Sequence, residues 1–250
     1  MARPRDNVFY GHHQTRRGLS LALTSLFFIS ALFFLLHSLV SPAYNSRVIE
    51  TLFLKHARTD PAEVSQSRYG ALSEAISGYL SGALDTPQVE IPIDASAIEA
   101  FSSRETAHLW DVRDLMRLAG TLKNVAIALL FAAGLLLLRM LVFKERNLPK
   151  TVFSSLFRAL CGVLVFTAIL FVFALIDFGQ LFYTLHLILF RNDLWLLDPE
   201  QDLLLQLMPE PFFTEYIKNA ILGAAIWFLP ALLLSGFISF ALSRGKHDVS

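Results

Sequence analysis

The 250-residue chain has one cysteine, no net charge and only 17% charged residues, against about 25% in an ordinary soluble domain. A lone cysteine excludes an internal disulfide framework, and Cys161 lies in a long uncharged run, far from the water a catalytic thiol needs. Low charge and high apolarity exclude a disordered chain and argue against a soluble cytosolic enzyme. No basic excess points to nucleic acid. The chain also lacks internal repeats and low-complexity tracts. It has no glycine loop to cradle phosphate, no Gly-x-Ser-x-Gly nucleophile elbow and no His-Glu-x-x-His pair. The Lys/Arg-rich and Ser-Gly-His motifs of membrane lipid phosphatases are missing too. What the chain has instead is apolar bulk: 54% hydrophobic residues, 22 of them Phe, and a mean hydropathy of +0.52. The apolar residues are bunched into runs, which makes this an integral membrane protein.

A hydrocarbon core roughly 30 Å thick needs about 20 apolar residues in a helix. Residues 19–40, 122–143, 156–176 and 219–242 satisfy this, with Lys123, Arg139 and Arg158 near span ends where long side chains can snorkel. Pro230 is expected to kink the last span. The expected fold is an all-α integral membrane protein with four transmembrane helices and two extracytoplasmic loops containing additional helices. Lys and Arg collect on the cytoplasmic side of membrane proteins. Segments 1–18, 139–158 and 243–250 hold eleven cations (Arg3, Arg5, Arg16, Arg17, Arg139, Lys144, Arg146, Lys150, Arg158, Arg244, Lys246) against Asp6, Glu145 and Asp248, a net +8. Both termini (1–18 and 243–250) and the link 144–155 are therefore expected inside, and loops 41–121 and 177–218 outside. Residues 1–40 could also be read as a cleaved signal peptide. The apolar run is longer than a signal's core and Ser41-Pro42-Ala43 is a poor cleavage site, so an uncleaved anchor is expected.

In the first outer loop, apolar spacing predicts an amphipathic helix over 62–82, carrying Tyr69, Leu72, Ile76, Tyr79 and Leu80. A turn-rich break follows, with a short strand over 89–93 and a turn at Asp94. Ser102-Ser103-Arg104-Glu105 fits a capping box that starts a helix through His108 and Asp111, either running into the second span or bending at Gly120. In the second loop, residues 181–190 are apolar but too short to span. They either continue the third helix or form a re-entrant or interfacial piece.

Histidine is the side chain best suited to moving protons near neutral pH. His12, His13 and His247 lie in the tails, His37 closes the first span and His56 sits in a polar stretch. His108 and His186 stand out. His108 has Asp111 on the same helical face, where a carboxylate can orient the ring and support its charge. His186 is set in the apolar decamer, with Tyr183 one turn before it and Asp193 two turns after; an ionisable group there is costly and a functional candidate. Two histidines with carboxylates would suit zinc, but no further ligand pattern supports a metal and none is assigned; no cofactor is expected. Tyr69, Tyr183 and Trp195 can also be read as interface anchors, and Asp193, Asp198 and Asp202 as turn caps.

The block 177–213, DFGQLFYTLHLILFRNDLWLLDPEQDLLLQLMPEPFF, resembles the signature region of the lipoprotein intramolecular transacylase (Lit) family of bacterial membrane proteins. The resemblance rests on Phe182, His186, Phe190, Asn192-Asp193-x-Trp195, Asp198-Pro199, Asp202 and the Pro209…Phe212-Phe213 ending. His108-Leu109-Trp110-Asp111-Val112 is similar to its His-x-x-Asp-Val element, departing at Leu109-Trp110, where a Met is expected after the His. Tyr69…Tyr79-Leu80 is similar to its Tyr-rich helix. The resemblance implies a membrane acyltransferase of the bacterial cytoplasmic membrane, its active site on the extracytoplasmic side. It would move the sn-2 acyl chain of a diacylglyceryl-cysteine lipoprotein onto the α-amino group of the same cysteine, giving an N-acyl lyso-lipoprotein. The implied catalytic residues are His186 and His108, supported by Asp111, Tyr183 and Asp193. Tyr69, Asn192, Trp195, Asp198 and Asp202 would bind substrate or structure the loop. The implied partners are diacylated lipoproteins and membrane lipids, with no nucleic acid. The alternatives are a non-catalytic lipid-binding or transport-associated protein, or a lipid or peptide hydrolase using the same histidines. Transport is disfavoured because no span has an acidic residue away from its ends.

Overall fold

The computed structural model describes residues 5–59, 64–93, 96–144 and 147–244. The expected helix start at 62, the turn at Asp94, and the tail and link residues Arg3, Glu145, Arg146, Lys246, His247 and Asp248 lie outside the described residues. In chain order the elements are α1 (Arg5–Val40), α2 (Ser46–His56), α3 (Tyr69–Ser81), β1 (Glu90–Ile93), β2 (Ser96–Glu99), α4 (Ser103–Val142), α5 (Leu148–Ile176), α6 (Phe178–Leu189), α7 (Leu203–Leu207) and α8 (Glu210–Arg244). Short 3-10 turns occupy Ser41–Tyr44 and Gln66–Arg68.

Four of these helices are long and apolar enough to cross a membrane, on the stretches Arg17–Tyr44, Ser103–Val142, Leu148–Ile176 and Glu210–Arg244. α4, at 40 residues, is about 60 Å long. It runs without a break through Gly120 and carries the polar stretch with His108 well ahead of its apolar part at 122–143. α5 starts at Leu148, ahead of the apolar run, with Pro149 in its first turn where no amide hydrogen is missed. α8 continues through Pro230.

Some local expectations need correcting. The helix expected over 62–82 begins at Tyr69, because Ser65 turns the chain first: its carbonyl accepts Arg68 N and its hydroxyl meets that of Ser67. α3 ends at Gly82, whose φ of +87° is a left-handed cap that a side chain would strain. The strand expected over 89–93 is β1, and it has a partner in β2, with Glu90 opposite Glu99 and Ile93 opposite Ser96.

The fold divides into two compact units. One comprises the described residues of Met1–Leu35, Leu122–Leu170 and Ala225–Ser250. Its interior is thin: Leu23, Ala133 and Met140 form one cluster, and Ala31, Leu160, Val163, Phe228 and Leu232 another. Small residues let helices approach, and a Cβ on Gly162 or Gly236 would sit 3.1 or 2.8 Å from the ring of Phe28 or Phe157. Among its polar contacts, Ser30 donates to the Ala126 carbonyl and Arg158 to the Ser20 hydroxyl. Phe131, Leu233 and Phe237 stand about 70% exposed, an outside made for hydrocarbon rather than water.

The other unit comprises Leu36–Thr121 and Phe171–Ala224 and has a conventional core. Ile49, Leu52 and Phe53 of α2 pack with Tyr69, Leu72 and Ile76 of α3, with Phe101, with Leu109 and Met116 of α4, and with Leu204, Leu207 and Phe212. Phe53, Leu72, Ile76 and Leu207 are buried to within 1%. Each contributes about 1.5–3 kcal/mol by leaving water.

Candidate active site

All the sequence-selected site residues fall in this second unit. The capping box forms: Ser102 Oγ accepts Glu105 N at 3.3 Å, and Glu105 Oε2 accepts Ser102 N at 2.7 Å. This fixes where α4 begins and so the angle at which His108, one turn later, leaves the helix. α6 is a separate helix because Asp177 breaks the chain out of α5 and caps the new start, accepting Gln180 N at 2.8 Å. His186 sits in its last turn.

The two imidazoles face each other with ring centroids 6.1 Å apart. Phe190 lies against both, at 5.3 Å from His108 and 5.4 Å from His186. His186 is further enclosed by Phe182 at 4.1 Å and Trp195 at 5.1 Å, and Tyr183 meets Trp195 edge-on. Both histidines lie on the wall of an apolar cavity of about 300 Å³. Its other walls include Ile49, Ile76, Leu109, Met116, Leu204 and Phe212. Such a space accepts a hydrocarbon tail, with the two rings as polar groups at one place on its wall.

His108 lies ahead of the apolar part of α4, and His186 lies on a helix too short to span. Burial pushes the His108 pKa down to about 4, reinforced by repulsion from His186 and partly opposed by the Asp111 charge. Burial also lowers the His186 pKa, against the pull of the Phe182 carbonyl. Both are therefore neutral at pH 7. His186 Nδ1 lies 2.8 Å from the Phe182 carbonyl oxygen, which can only accept. Nδ1 therefore carries the hydrogen, and Nε2 keeps its lone pair. Among the described residues, His108 Nδ1 is buried without a hydrogen-bond partner.

The segment 190–204 crosses α4 and is tied to it at three points. Arg104 donates to the Asp193 carbonyl at 2.6 Å, Asn192 Nδ2 to Asp111 Oδ2 at 2.9 Å, and Leu204 N to Glu105 Oε1 at 2.6 Å. Asp111 thus acts on His108 through space while its hydrogen bond goes to Asn192. Asp193 contributes its backbone to Arg104. Asp198 and Asp202 work within the loop, accepting Glu200 N and Asp198 N. Tyr69 is a core residue, 3% exposed, bonded to the Thr59 hydroxyl at 2.6 Å and edge-on to Phe53. His56 pairs with Glu215 at 2.7 Å beside Lys55, joining α2 to α8.

Two contributors escaped the sequence reading. Glu105 was legible as a helix cap but not as the buried acceptor for Leu204. Tyr216 of α8 accepts Ala43 N and directs its hydroxyl hydrogen at the carbonyls of Leu39 and Val40, closing the end of α1 beside the cavity. Among the described residues, no group of three or more His, Cys, Asp or Glu side chains is placed to hold a metal.

The model of the lipoprotein intramolecular transacylase Lit family matches residues 22–213, most of the chain. The chain belongs to the Lit family. It is thus a member of an acyltransferase family that acts on lipoproteins, and a multi-pass membrane protein. Among solved structures it is similar to the membrane-integral Lit of Bacillus cereus, crystallised in meso. The TM-score there is 0.61 at 18% identity, covering 94% of this chain and 99% of that one. Two variants of the same protein, each with one histidine replaced, by arginine or by alanine, give TM-scores of 0.59, again at 18% identity. They cover 99% and 97% of this chain and all of theirs. No curated protein matches this Lit-family chain significantly.

Proposed function

We propose that this protein moves the sn-2 acyl chain of a diacylglyceryl-cysteine lipoprotein onto the α-amino group of the same cysteine. The site would lie on the extracytoplasmic side of the bacterial cytoplasmic membrane, with both termini inside, as the charge distribution supports. The observation that carries the chemistry is the facing imidazole pair on the wall of an apolar cavity. The cavity takes the acyl chain, and the ester then lies beside the rings.

The nucleophile belongs to the substrate, so the enzyme needs no serine or thiol. The ammonium gives one proton to His186 Nε2, whose lone pair is exposed by the Nδ1 bond to Phe182. The free amine attacks the ester carbonyl and forms the new C–N bond. His108, neutral and close by, donates a hydrogen bond to the developing oxyanion. As the tetrahedral intermediate collapses, the ester C–O bond breaks and the glycerol oxygen takes the proton from His186. The second ammonium proton leaves to solvent, so ammonium and ester become amide, alcohol and one free proton. Attack passes through an eight-membered ring, and holding its ends together can supply up to roughly 7–11 kcal/mol.

Mass spectrometry of a lipoprotein N-terminal peptide, with and without the protein, tests this directly. An N-acyl product with unchanged acyl count is expected. Loss of one acyl chain would mean hydrolysis, and an unchanged peptide a binder.

A pH profile adds a second check. Both rings have pKa values below the ordinary 6.5, so the neutral, active form persists as pH falls through 6.5 and is lost only nearer the folded values. The acid limb of kcat/KM is expected below pH 6.5. A limb above 6.5 would contradict a buried imidazole base. By the same sign, protonation opposes folding, so stability should fall as pH drops from 6.5 towards 4.

A further inference from the structure

The transferred acyl group has a cavity and the ester has its histidines, but the nucleophile arrives as a cation and must be held beside them. We propose that the Asp111 carboxylate is the docking point for the substrate's α-ammonium, and that the Asn192 side-chain amide occupies that point in the resting protein. This rests on the acyl-transfer reading above and names the subsite that reading leaves unfilled.

Four observations lead there. First, Asp111 lies one turn beyond His108 on α4, close enough for its charge to act on that ring, and it is half-buried rather than free in solvent. Second, its Oδ2 accepts an N–H from Asn192, an exposed residue whose loop neighbours Phe190 and Trp195 line the cavity. An N–H donor already sits where a substrate ammonium would sit. Third, the other carboxylates of α4 are committed elsewhere. Glu105 is buried with each oxygen on a backbone amide, and Asp114 pairs with Arg117 at 3.0 Å. Fourth, Oδ1 of Asp111 has no donor among the described residues, so the carboxylate keeps acceptor capacity for a group with three N–H bonds.

The exchange is favoured by charge. Both bonds have the carboxylate as acceptor, but the ammonium brings a full positive charge opposite it where the Asn192 amide brings only a dipole. The bound cation then stands beside His108, whose ring lies 6.1 Å from that of His186, the imidazole that takes its proton. The charged or titratable groups on the segments around Asp111 include Arg104, Glu105, His108, Arg113, Asp114 and Arg117 on α4, His186 on α6, and Arg191 and Asp193 in the crossing segment.

The test uses the full-length protein in detergent with a diacylglyceryl-cysteine lipopeptide and its N-acetylated form. The α-amino group titrates near 8. D111N should raise KM and lower kcat/KM by about 10- to 100-fold at pH 6.5, where the substrate is an ammonium. The deficit should shrink to a few-fold at pH 9, where the amine is neutral, and D111E should restore part of the activity at pH 6.5. In direct binding, wild type should prefer the amine over the N-acetyl lipopeptide, and D111N should not distinguish them. A deficit constant across pH, carried by kcat, would overturn the proposal, as would an unchanged amine preference in D111N. The binding comparison does not depend on turnover. If wild type forms no N-acyl product, the acyl-transfer reading fails, while the amine preference still decides the subsite.

Discussion

Replacing His186 with alanine is expected to lower N-acyl product formation by about 10²–10⁴-fold, the span that a positioned general base contributes. The loss should fall on kcat, because His186 contributes to substrate binding chiefly through its place in a wall that Phe182, Phe190 and Trp195 keep apolar. His108→Ala should cost about 10²–10³-fold, as removal of one oxyanion donor does. The double variant should be little worse than His186→Ala alone, since residues acting on one transition state do not add. The measurement is single-turnover conversion of a defined lipopeptide, with thermal unfolding of each variant as the control for folding. Near-normal turnover in His186→Ala, with the protein folded, would remove the imidazole from the mechanism.

The second large effect is on stability. Glu105 is 2% exposed and accepts two backbone amides, Ser102 N within its own helical turn and Leu204 N from a distant part of the chain. Glu105→Ala leaves both donors without a partner, at about 1–3 kcal/mol each, so the unit that holds them should lose about 2–6 kcal/mol. Glu105→Gln should fall part-way, because its carbonyl oxygen can serve one amide while its NH₂ confronts the other. Denaturant unfolding in detergent reads the loss, and limited proteolysis of residues 190–204 reads the release of the crossing segment. An alanine variant within about 0.5 kcal/mol of wild type would mean that these amides find other acceptors, as harmless surface substitutions do.

The Glu105 case also marks the line between what was legible in the chain and what was not. Its role as a cap could be read from Ser102-x-x-Glu105, because the partners lie within one helical turn. Its bond to Leu204 could not, because nothing in either segment states that they meet. α2 was missed for a similar reason. Its buried residues, Ile49, Leu52 and Phe53, are interleaved with Arg47, Glu50 and Lys55, so the pattern gains meaning only against α3. β2 is four residues long and carries no strand signature without β1 beside it.

By itself the sequence determined the membrane class, the four long apolar helices, the start of α4 and the two histidines worth following. Each depends on transfer from water to hydrocarbon or on bonds within a turn, energies that a short stretch of chain fixes alone. Tertiary structure alone decided that His108 and His186 share one cavity wall, that the Phe182 carbonyl sets which nitrogen of His186 is free, and that Asp111 holds Asn192. Those facts arise where α4, α6 and the crossing segment pack together. Contacts across long stretches of chain depend on the shape of the whole unit, and that shape is written in no single segment.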